Sequence, residues 1–296
     1  MRSFYYASQK MQSVIAYLKA HGLVTTLTNG DPRDSGLYQF LHLRDNVMTH
    51  VHSRDDTVDV LNCSDFNRMR AAISAVFQST KATLQDVVGF VEEQAHHTTE
   101  WLDLHAAIIQ LAIAHASTMT NSQQPLVLHG NFARIGYLEG NVIVRGNVEV
   151  IEGRISNFLT IHGNVVSLGV GPFWAQSPVE GQNECKLTIY GDVDGYKTGI
   201  NNPLLTINIY GRVTNPHAFL YRGCVFKSMT IYGRLETKTS ILPGFFSGKL
   251  FVNGDAPHLQ EYLKTGYRGS SASIDGHGNV WLNNVPLLAD GRLIQG

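Results

Sequence analysis

Apolar and polar residues alternate in short runs through the second half of the chain, and one such run recurs seven times. Each copy has apolar residues four and two positions before a glycine and another two positions after it. The copies begin at Leu126, Val142, Leu159, Leu187, Ile207, Met229 and Leu250. A period of two is typical of strands with one buried face. The repeat predicts a parallel β-helix (β-solenoid) of about seven irregular coils; the alternative is an antiparallel sandwich with recurring strand signatures.

The repeat glycines predict either a turn or a close approach of the neighbouring coil. The residue that follows each glycine is Asn, Asp or Arg. Asn and Asp side chains can bond nearby backbone, whereas Arg212 and Arg234 are expected to face water.

The N-terminal half has helical and strand periods that predict an α+β module. A helix is expected over residues 8–20, with Met11, Val14, Ile15 and Leu18 inward and Gly22 at its end. Strands are expected over residues 23–28, 37–43, 47–53 and 57–63. Three more helices are expected from about 64, over 83–96 and over 99–116. Their inward residues are Phe66, Met69, Ile73, Val76 and Phe77; Leu84, Val87, Val88 and Val91; and Trp101, Leu104, Ile108 and Leu111.

The domain organisation predicted from these patterns has three parts. Residues 1–122 form the α+β module and residues 123–256 the β-solenoid. Residues 257–296 form a C-terminal cap, with a short helix over 257–265, a strand over 279–282 and a hairpin at Asp290-Gly291.

Composition excludes some function classes. Of the 296 residues, 16% are charged and the net charge is −1, so a nucleic-acid partner is not expected. No apolar run reaches the length of a membrane span, and the N-terminus lacks the apolar core of a signal peptide. Cys63, Cys185 and Cys224 are far apart and odd in number, which favours reduced thiols. We therefore expect a cytoplasmic protein without a membrane partner.

No catalytic, cofactor or metal site is expected, because the chain lacks the nucleophile-elbow and phosphate-loop motifs. The densest ionisable cluster is interpreted as a solvated helix end; it contains Glu92, Glu93, His96, His97, Glu100, Asp103 and His105. His42, His50 and His52 are interpreted as exposed sheet residues. A Ser-His-Asp triad assembled in space stays open. A carbohydrate-cleaving β-helix would need clustered carboxylates, for which the candidates are Glu180, Glu184, Asp192 and Asp194.

Two surface features are candidates for partner binding. Tyr190, Tyr210 and Tyr232 stand directly before three successive repeat glycines and are expected to form an outward ladder. The ladder either stabilises the sheet through neighbour contacts or binds a protein. The second feature is the aromatic pairs between repeats, Phe173-Trp174 and Phe245-Phe246, which are either inward residues of other strands or exposed contacts.

The copies VIVRGNVEV and LTIHGNVVSLG resemble the coils of bactofilin-type polymer-forming β-helices. The resemblance covers residues 126–256 and implies a non-catalytic, self-associating structural protein. The repeat spacing of this chain varies, whereas bactofilin coils are nearly constant in length. We therefore expect a non-enzymatic interaction protein that forms a homo-oligomer, most simply a dimer, and displays a rigid surface to a protein partner. An unmatched N-terminal module on an irregular repeat suggests a phage-encoded protein acting in the host cytoplasm. The alternative is a carbohydrate hydrolase, lyase or acyltransferase.

Overall fold

The computed structural model describes residues 9–28, 50–52, 57–61, 66–95, 104–120, 124–155, 157–170, 184–194, 200–214, 224–236, 246–266, 278–290 and 292–294. The fold is mixed α/β, with many parallel strands and a few helices. The chain divides into two compact units. One is Met1–Thr120 with Leu128–Ile135, and the other is Asn121–Val127 with Gly136–Gly296.

The first unit combines helices with a small antiparallel sheet. Its helices are α1 (Gln9–Ala20), α2 (Phe66–Ser79), α3 (Leu84–Ala95) and α4 (Leu104–Thr118). Its strands are β1 (Val24–Thr28), β2 (His50–His52) and β3 (Thr57–Leu61), in the order β1-β3-β2. The predicted strand over 37–43 lies outside the described residues.

Helix α1 confirms its sequence prediction. Its buried residues are Met11, Val14, Ile15 and Leu18. The helix ends at Ala20. Gly22 follows its end with a φ of +67°, in the left-handed region that favours glycine. The Leu23 backbone N–H then donates to the Leu18 carbonyl at 2.9 Å, which satisfies one of the last carbonyls of the helix.

Helices α2 and α3 also bury the predicted face. Met69, Ile73, Phe77, Val87, Val88 and Val91 are buried, whereas Val76 and Leu84 are half-buried. A reciprocal cap begins α3: the Thr83 N–H donates to Asp86 Oδ2 at 2.8 Å, and the Asp86 N–H donates to Thr83 Oγ1 at 3.3 Å. The Thr83 hydrogen bonds lower the pKa of Asp86.

Helix α4 buries its predicted inward residues Leu104, Ile108 and Leu111 and every other residue between Leu104 and Ser117 as well. Every residue from Leu104 to Ser117 is buried, because the helix packs against α2, α3, β2 and β3. A helix that is buried on every side belongs at the centre of its unit. Trp101 lies outside the described residues. No helix in the described ranges is long and apolar enough to cross a membrane.

The repeats supply strands to two sheets. The larger has the order β4-β6-β8-β10-β12-β14-β15-β16-β17-β18 and the smaller β5-β7-β9-β11-β13. The larger contains β4 (Leu126–His129), β6 (Val142–Arg145), β8 (Phe158–Ile161), β10 (Cys185–Ile189), β12 (Asn201–Ile209), β14 (Cys224–Ile231), β15 (Phe246–Val252), β16 (Gly278–Leu282), β17 (Val285–Ala289) and β18 (Arg292–Leu293). The smaller contains β5 (Phe132–Leu138), β7 (Val148–Ile155), β9 (Val165–Val170), β11 (Val193–Asp194) and β13 (Val213–Thr214).

Strands β6 to β16 of the larger sheet pair in parallel, in the register that the repeat predicts. The column two positions before the glycines pairs Val144, Ile161, Ile189, Ile209, Ile231 and Val252 in succession. In the smaller sheet, Val148, Val165, Val193 and Val213 pair likewise. The antiparallel alternative is therefore wrong for these strands. All three apolar columns are buried, the most exposed member being Ala256 at 9%.

The glycine column is explained by close approach of the backbones. A Cβ on Gly211 would lie 2.2 Å from the Gly191 carbonyl oxygen, and one on Gly191 would lie 2.3 Å from that of Gly163. Gly233 and Gly254 meet the preceding glycine in the same way. These positions admit no side chain, so the predicted close approach between neighbouring repeats is confirmed.

The C-terminal segment continues the larger sheet. Helix α5 (Leu259–Gly266) agrees with the prediction, and β16 pairs in parallel with β15. Strands β17 and β18 then add antiparallel, as expected for the predicted hairpin at Asp290. Sequence reasoning missed the turn between β16 and β17, where Asn283 and Asn284 both have positive φ (48° and 66°), as a type I′ hairpin requires.

Candidate interaction surface

A row of stacked aromatic side chains lies on the outer face of the larger sheet. We call Tyr190, Tyr210 and Tyr232, with His162 at one end, the tyrosine strip. The ring centroids of His162 and Tyr190 are 4.8 Å apart, and the next two steps are 4.9 and 4.6 Å. The tyrosines are 49%, 44% and 44% exposed. The outward ladder that the sequence predicted is therefore present.

The strip follows from the register of the strands beneath it. Each ring follows a residue of the buried Ile161–Ile189–Ile209–Ile231 column, so its spacing is the strand spacing of about 4.8 Å. The Tyr190 N–H donates to the Ile161 carbonyl and the Tyr210 N–H donates to the Ile189 carbonyl, both at 2.9 Å. These backbone hydrogen bonds continue the parallel pairing of the strands to the tyrosines themselves. Because the ring planes lie within 16° of parallel, ring faces cover one another and ring edges are left for a ligand.

A second row, directly after the glycines, bonds each repeat to the next. Asn147 Oδ1 accepts from the Asn164 N–H at 2.8 Å, and Asn164 Oδ1 accepts from the Asp192 N–H at 2.8 Å. Asp192 Oδ1 accepts from the Arg212 N–H at 2.7 Å. The expectation that Asn and Asp bond nearby backbone is confirmed across strands.

The expectation that the two arginines merely face water was incomplete. Both are about half exposed, yet Arg212 lies 3.6 Å from Asp192 and 3.5 Å from Glu236. Arg234 lies 3.9 Å from Glu236 and 3.6 Å from Asp255. Alternating charges thus bridge successive repeats. Single exposed pairs contribute little to stability, whereas a network can contribute more.

A groove of about 430 Å³ runs beside the tyrosine strip on the outer face of β8 and β10. Its lining is Asn141, Asn157, Phe158, Thr160, Glu184, Lys186, Thr188, Tyr190 and Tyr210. Sequence reasoning missed it, although one signal was present. The position three before the glycine is polar in four successive repeats, namely Thr160, Thr188, Asn208 and Thr230.

Two of the four carboxylates considered for carbohydrate cleavage form separate ion pairs. Glu184 pairs with Lys227, and Asp192 pairs with Arg212. Asp194 lies in β11 of the smaller sheet, and Glu180 is outside the described residues. Glu184 and Asp192 are therefore each engaged with a different cation.

Two members of the ionisable cluster of the first unit make polar contacts, and a third is buried. Glu93 lies 3.9 Å from Lys10, Glu92 Oε1 accepts from the His129 N–H at 2.8 Å, and His105 is buried in α4. The other members, His96, His97, Glu100 and Asp103, are outside the described residues. Across the ranges that the structure describes, no three His, Cys, Asp or Glu side chains could hold a metal.

The histidines of the small sheet are described only by their backbone. His50 and His52 pair with Val60 and Val58 of β3 and so share a face of β2. His42 is outside the described residues. Their interpretation as exposed residues stays a prediction.

A serine–histidine contact between α2 and α4 was not predicted. Ser74 Oγ and His115 Nδ1 are 2.8 Å apart beside a cavity of about 380 Å³ that Arg70 also lines. Burial, and secondarily the charge of Arg70, lowers the pKa of His115, which favours the neutral imidazole. Ser74 lies inside a helix, where backbone N–H groups are used by the helix and cannot stabilise an oxyanion. The contact is therefore best interpreted as a polar bond between helices.

Three of the four residues in the aromatic pairs between repeats lie outside the described residues. Phe173, Trp174 and Phe245 are outside the described residues, and Phe246 is described only as backbone at the start of β15. Their role as contacts stays a prediction. Cys185 and Cys224 are buried thiols, and burial raises the pKa of Cys224.

Comparison with known proteins adds no relative from which a function could be taken. No protein-family model matches the chain, and neither a curated protein nor a solved structure matches it.

Proposed function

We propose that residues 123–256 form a parallel β-helix, and that the protein is a non-enzymatic structural protein that self-associates and displays this rigid surface to a protein partner. The observation that carries the proposal is the tyrosine strip, three half-exposed tyrosines held in register on successive strands.

The strand arrangement supports the β-helix. Successive strands along the chain alternate between the two sheets from β4 to β14, and equivalent strands pair in parallel from β6 onward. The stacked glycines fit this geometry, since each of Gly163, Gly191, Gly211, Gly233 and Gly254 lies against the carbonyl of the equivalent glycine one repeat earlier.

The chemistry of the strip supports an interface. Tyrosine is enriched among the residues that dominate binding energy. Rings already held by stacking lose little further freedom when a partner covers them, so less of the interaction energy offsets lost entropy. Carbohydrate cleavage is less favoured, because Glu184 and Asp192 each pair with a different cation.

The test is the mass of the protein in solution, measured by light scattering and sedimentation. We expect a dimer for the wild type and a monomer for the triple variant Tyr190→Thr, Tyr210→Thr, Tyr232→Thr, since threonine keeps strand propensity. The matched control is Trp281→Thr. It removes a ring that stacks on Phe251 at 4.7 Å on the same sheet but outside the strip, and it should stay dimeric. A monomeric wild type would refute self-association, and a dimeric triple variant with a native circular dichroism spectrum would exclude the strip.

Phe173 and Trp174 are the second predicted contact. Replacing both by alanine should weaken self-association or partner capture, with roughly 2–4 kcal/mol per hot-spot aromatic, and leave the melting temperature close to wild type. A sharp fall in melting temperature would instead assign both rings to the core.

A further inference from the structure

Polar side chains that are nearly buried form the floor of the groove beside the tyrosine strip. Asn141 and Thr188 are only 5% and 8% exposed, yet both line it. Its volume of about 430 Å³ falls within the usual range of small-molecule sites. The lining crosses β8 and β10 and reaches Tyr210 after β12, so the groove spans roughly 10 Å at about 4.8 Å per strand.

The lining favours a ligand that both donates and accepts hydrogen bonds. Asparagine amides and threonine hydroxyls each offer a donor and an acceptor, and four of the nine lining residues are of these two types. Because Glu184 pairs with Lys227, Lys186 is the main excess charge of the lining. One lysine does not suit a polyanion, whose binding needs clustered cations. A purely apolar ligand would leave the Thr160 and Thr188 hydroxyls without partners.

Aromatic groups complete the lining. Phe158 is half-buried in it, and the stacked Tyr190 and Tyr210 flank it with their ring edges. Tyrosine combines an apolar body with a polar end. A sugar ring has the complementary pattern, with apolar C–H groups and a rim of hydroxyls. We propose that this groove, which shares Tyr190 and Tyr210 with the tyrosine strip, binds a neutral oligosaccharide.

The experiment is titration calorimetry of the full chain with maltohexaose, cellohexaose, chitohexaose and xylohexaose, with an oligogalacturonate as the acidic comparison. We expect at least one neutral sugar to bind the wild type. Thr188→Val keeps the shape of the side chain and removes one buried hydroxyl, so binding should weaken roughly 3- to 10-fold. Thr230→Val is the matched control, because Thr230 occupies the same outward column on β14 and does not line the groove.

Three results would overturn the proposal: no neutral sugar binds, the oligogalacturonate alone binds, or Thr188→Val and Thr230→Val bind alike. The oligomeric mass of Thr188→Val is measured in parallel and should equal that of wild type. Sugar binding by a monomeric wild type would refute self-association and leave the groove assignment intact, so the two proposals fail separately.

Discussion

Replacing Gly211 by alanine tests the stacked arrangement of the repeats most directly. The added Cβ would lie 2.2 Å from the Gly191 oxygen and 2.7 Å from the Asp192 nitrogen, far inside the 3.4 Å at which ordinary contact begins. Both atoms are backbone, so neither can rotate away as a side chain would. The neighbouring strands must separate, and the 2.7 Å bond from the Arg212 N–H to Asp192 is strained with them.

Gly211→Ala should lower the free energy of unfolding by an amount at the upper end of the range for overpacked cores, which is about 1–3 kcal/mol. A loss of about 3 kcal/mol is a large fraction of the roughly 5–15 kcal/mol that stabilises a typical domain. The free energy of unfolding is measured by urea denaturation. Hydrogen exchange then localises the loss to β10 and β12, because the two units need not unfold together.

Two other glycines serve as controls for different mechanisms. A Cβ on Gly89, in the exposed face of α3, would meet nothing within 4 Å, so Gly89→Ala should stabilise its helix by about 0.5–1 kcal/mol. Gly22 has the same open space but a φ of +67°, so Gly22→Ala should cost about 1 kcal/mol through backbone strain alone. If Gly211→Ala keeps wild-type stability and exchange protection, the glycines do not stack and the register is wrong.

Three further outcomes are expected. Ile209→Asp buries a carboxylate at a site that is 0% exposed and should abolish the native circular dichroism of the repeats, whereas Ile209→Val should cost only about 1 kcal/mol. Burial and Arg70 lower the pKa of His115 from 6.5. The unfolded chain therefore binds more protons, and stability should fall as the pH drops below 6.5, less steeply in His115→Gln; superimposable pH profiles for the two proteins would contradict this. Asn253→Tyr should extend the strip beyond Tyr232 and tighten the dimer about 3- to 10-fold if the strip is the interface, whereas Asn253→Thr should not; equal dimer affinities by sedimentation would argue against that interface.

The strands of the repeats were predictable because each repeat supplies one residue to each column. Aligning the copies on their glycines therefore gives the register directly. Leu159 pairs with Leu187 across 28 residues of sequence, and Val142 pairs with Leu159 across 17. The tyrosine strip needed no further information, since a position adjacent to a buried column must also recur once per strand.

The surroundings of α4 were not predictable from its pattern. Leu104, Ile108 and Leu111 match an amphipathic template, but so does any segment that is apolar on every side, and the helix buries His105 and Gln110 as well. A periodicity match shows which face is apolar; it does not show that the opposite face meets water.

The groove and the Ser74–His115 contact depend on geometry that no local pattern encodes. Ser74 and His115 are 41 residues apart and meet only because α2 packs on α4. Asn141 and Asn157 precede β6 and β8 and lie outside the repeated phrase, so aligning the copies could not mark them as walls of a site.

The tyrosine strip ends because the residue type changes, whereas the column of outward positions continues along the sheet. Its column continues at Asn253, whose N–H donates to the Ile231 carbonyl at 2.8 Å as the tyrosines do one repeat earlier. Arg145 holds the equivalent place before His162. Since these outward positions are exposed and the buried columns are complete without them, each can change identity at little structural cost. The core residues thus fix where a surface row must run, and the row's own residues are left to determine what it binds.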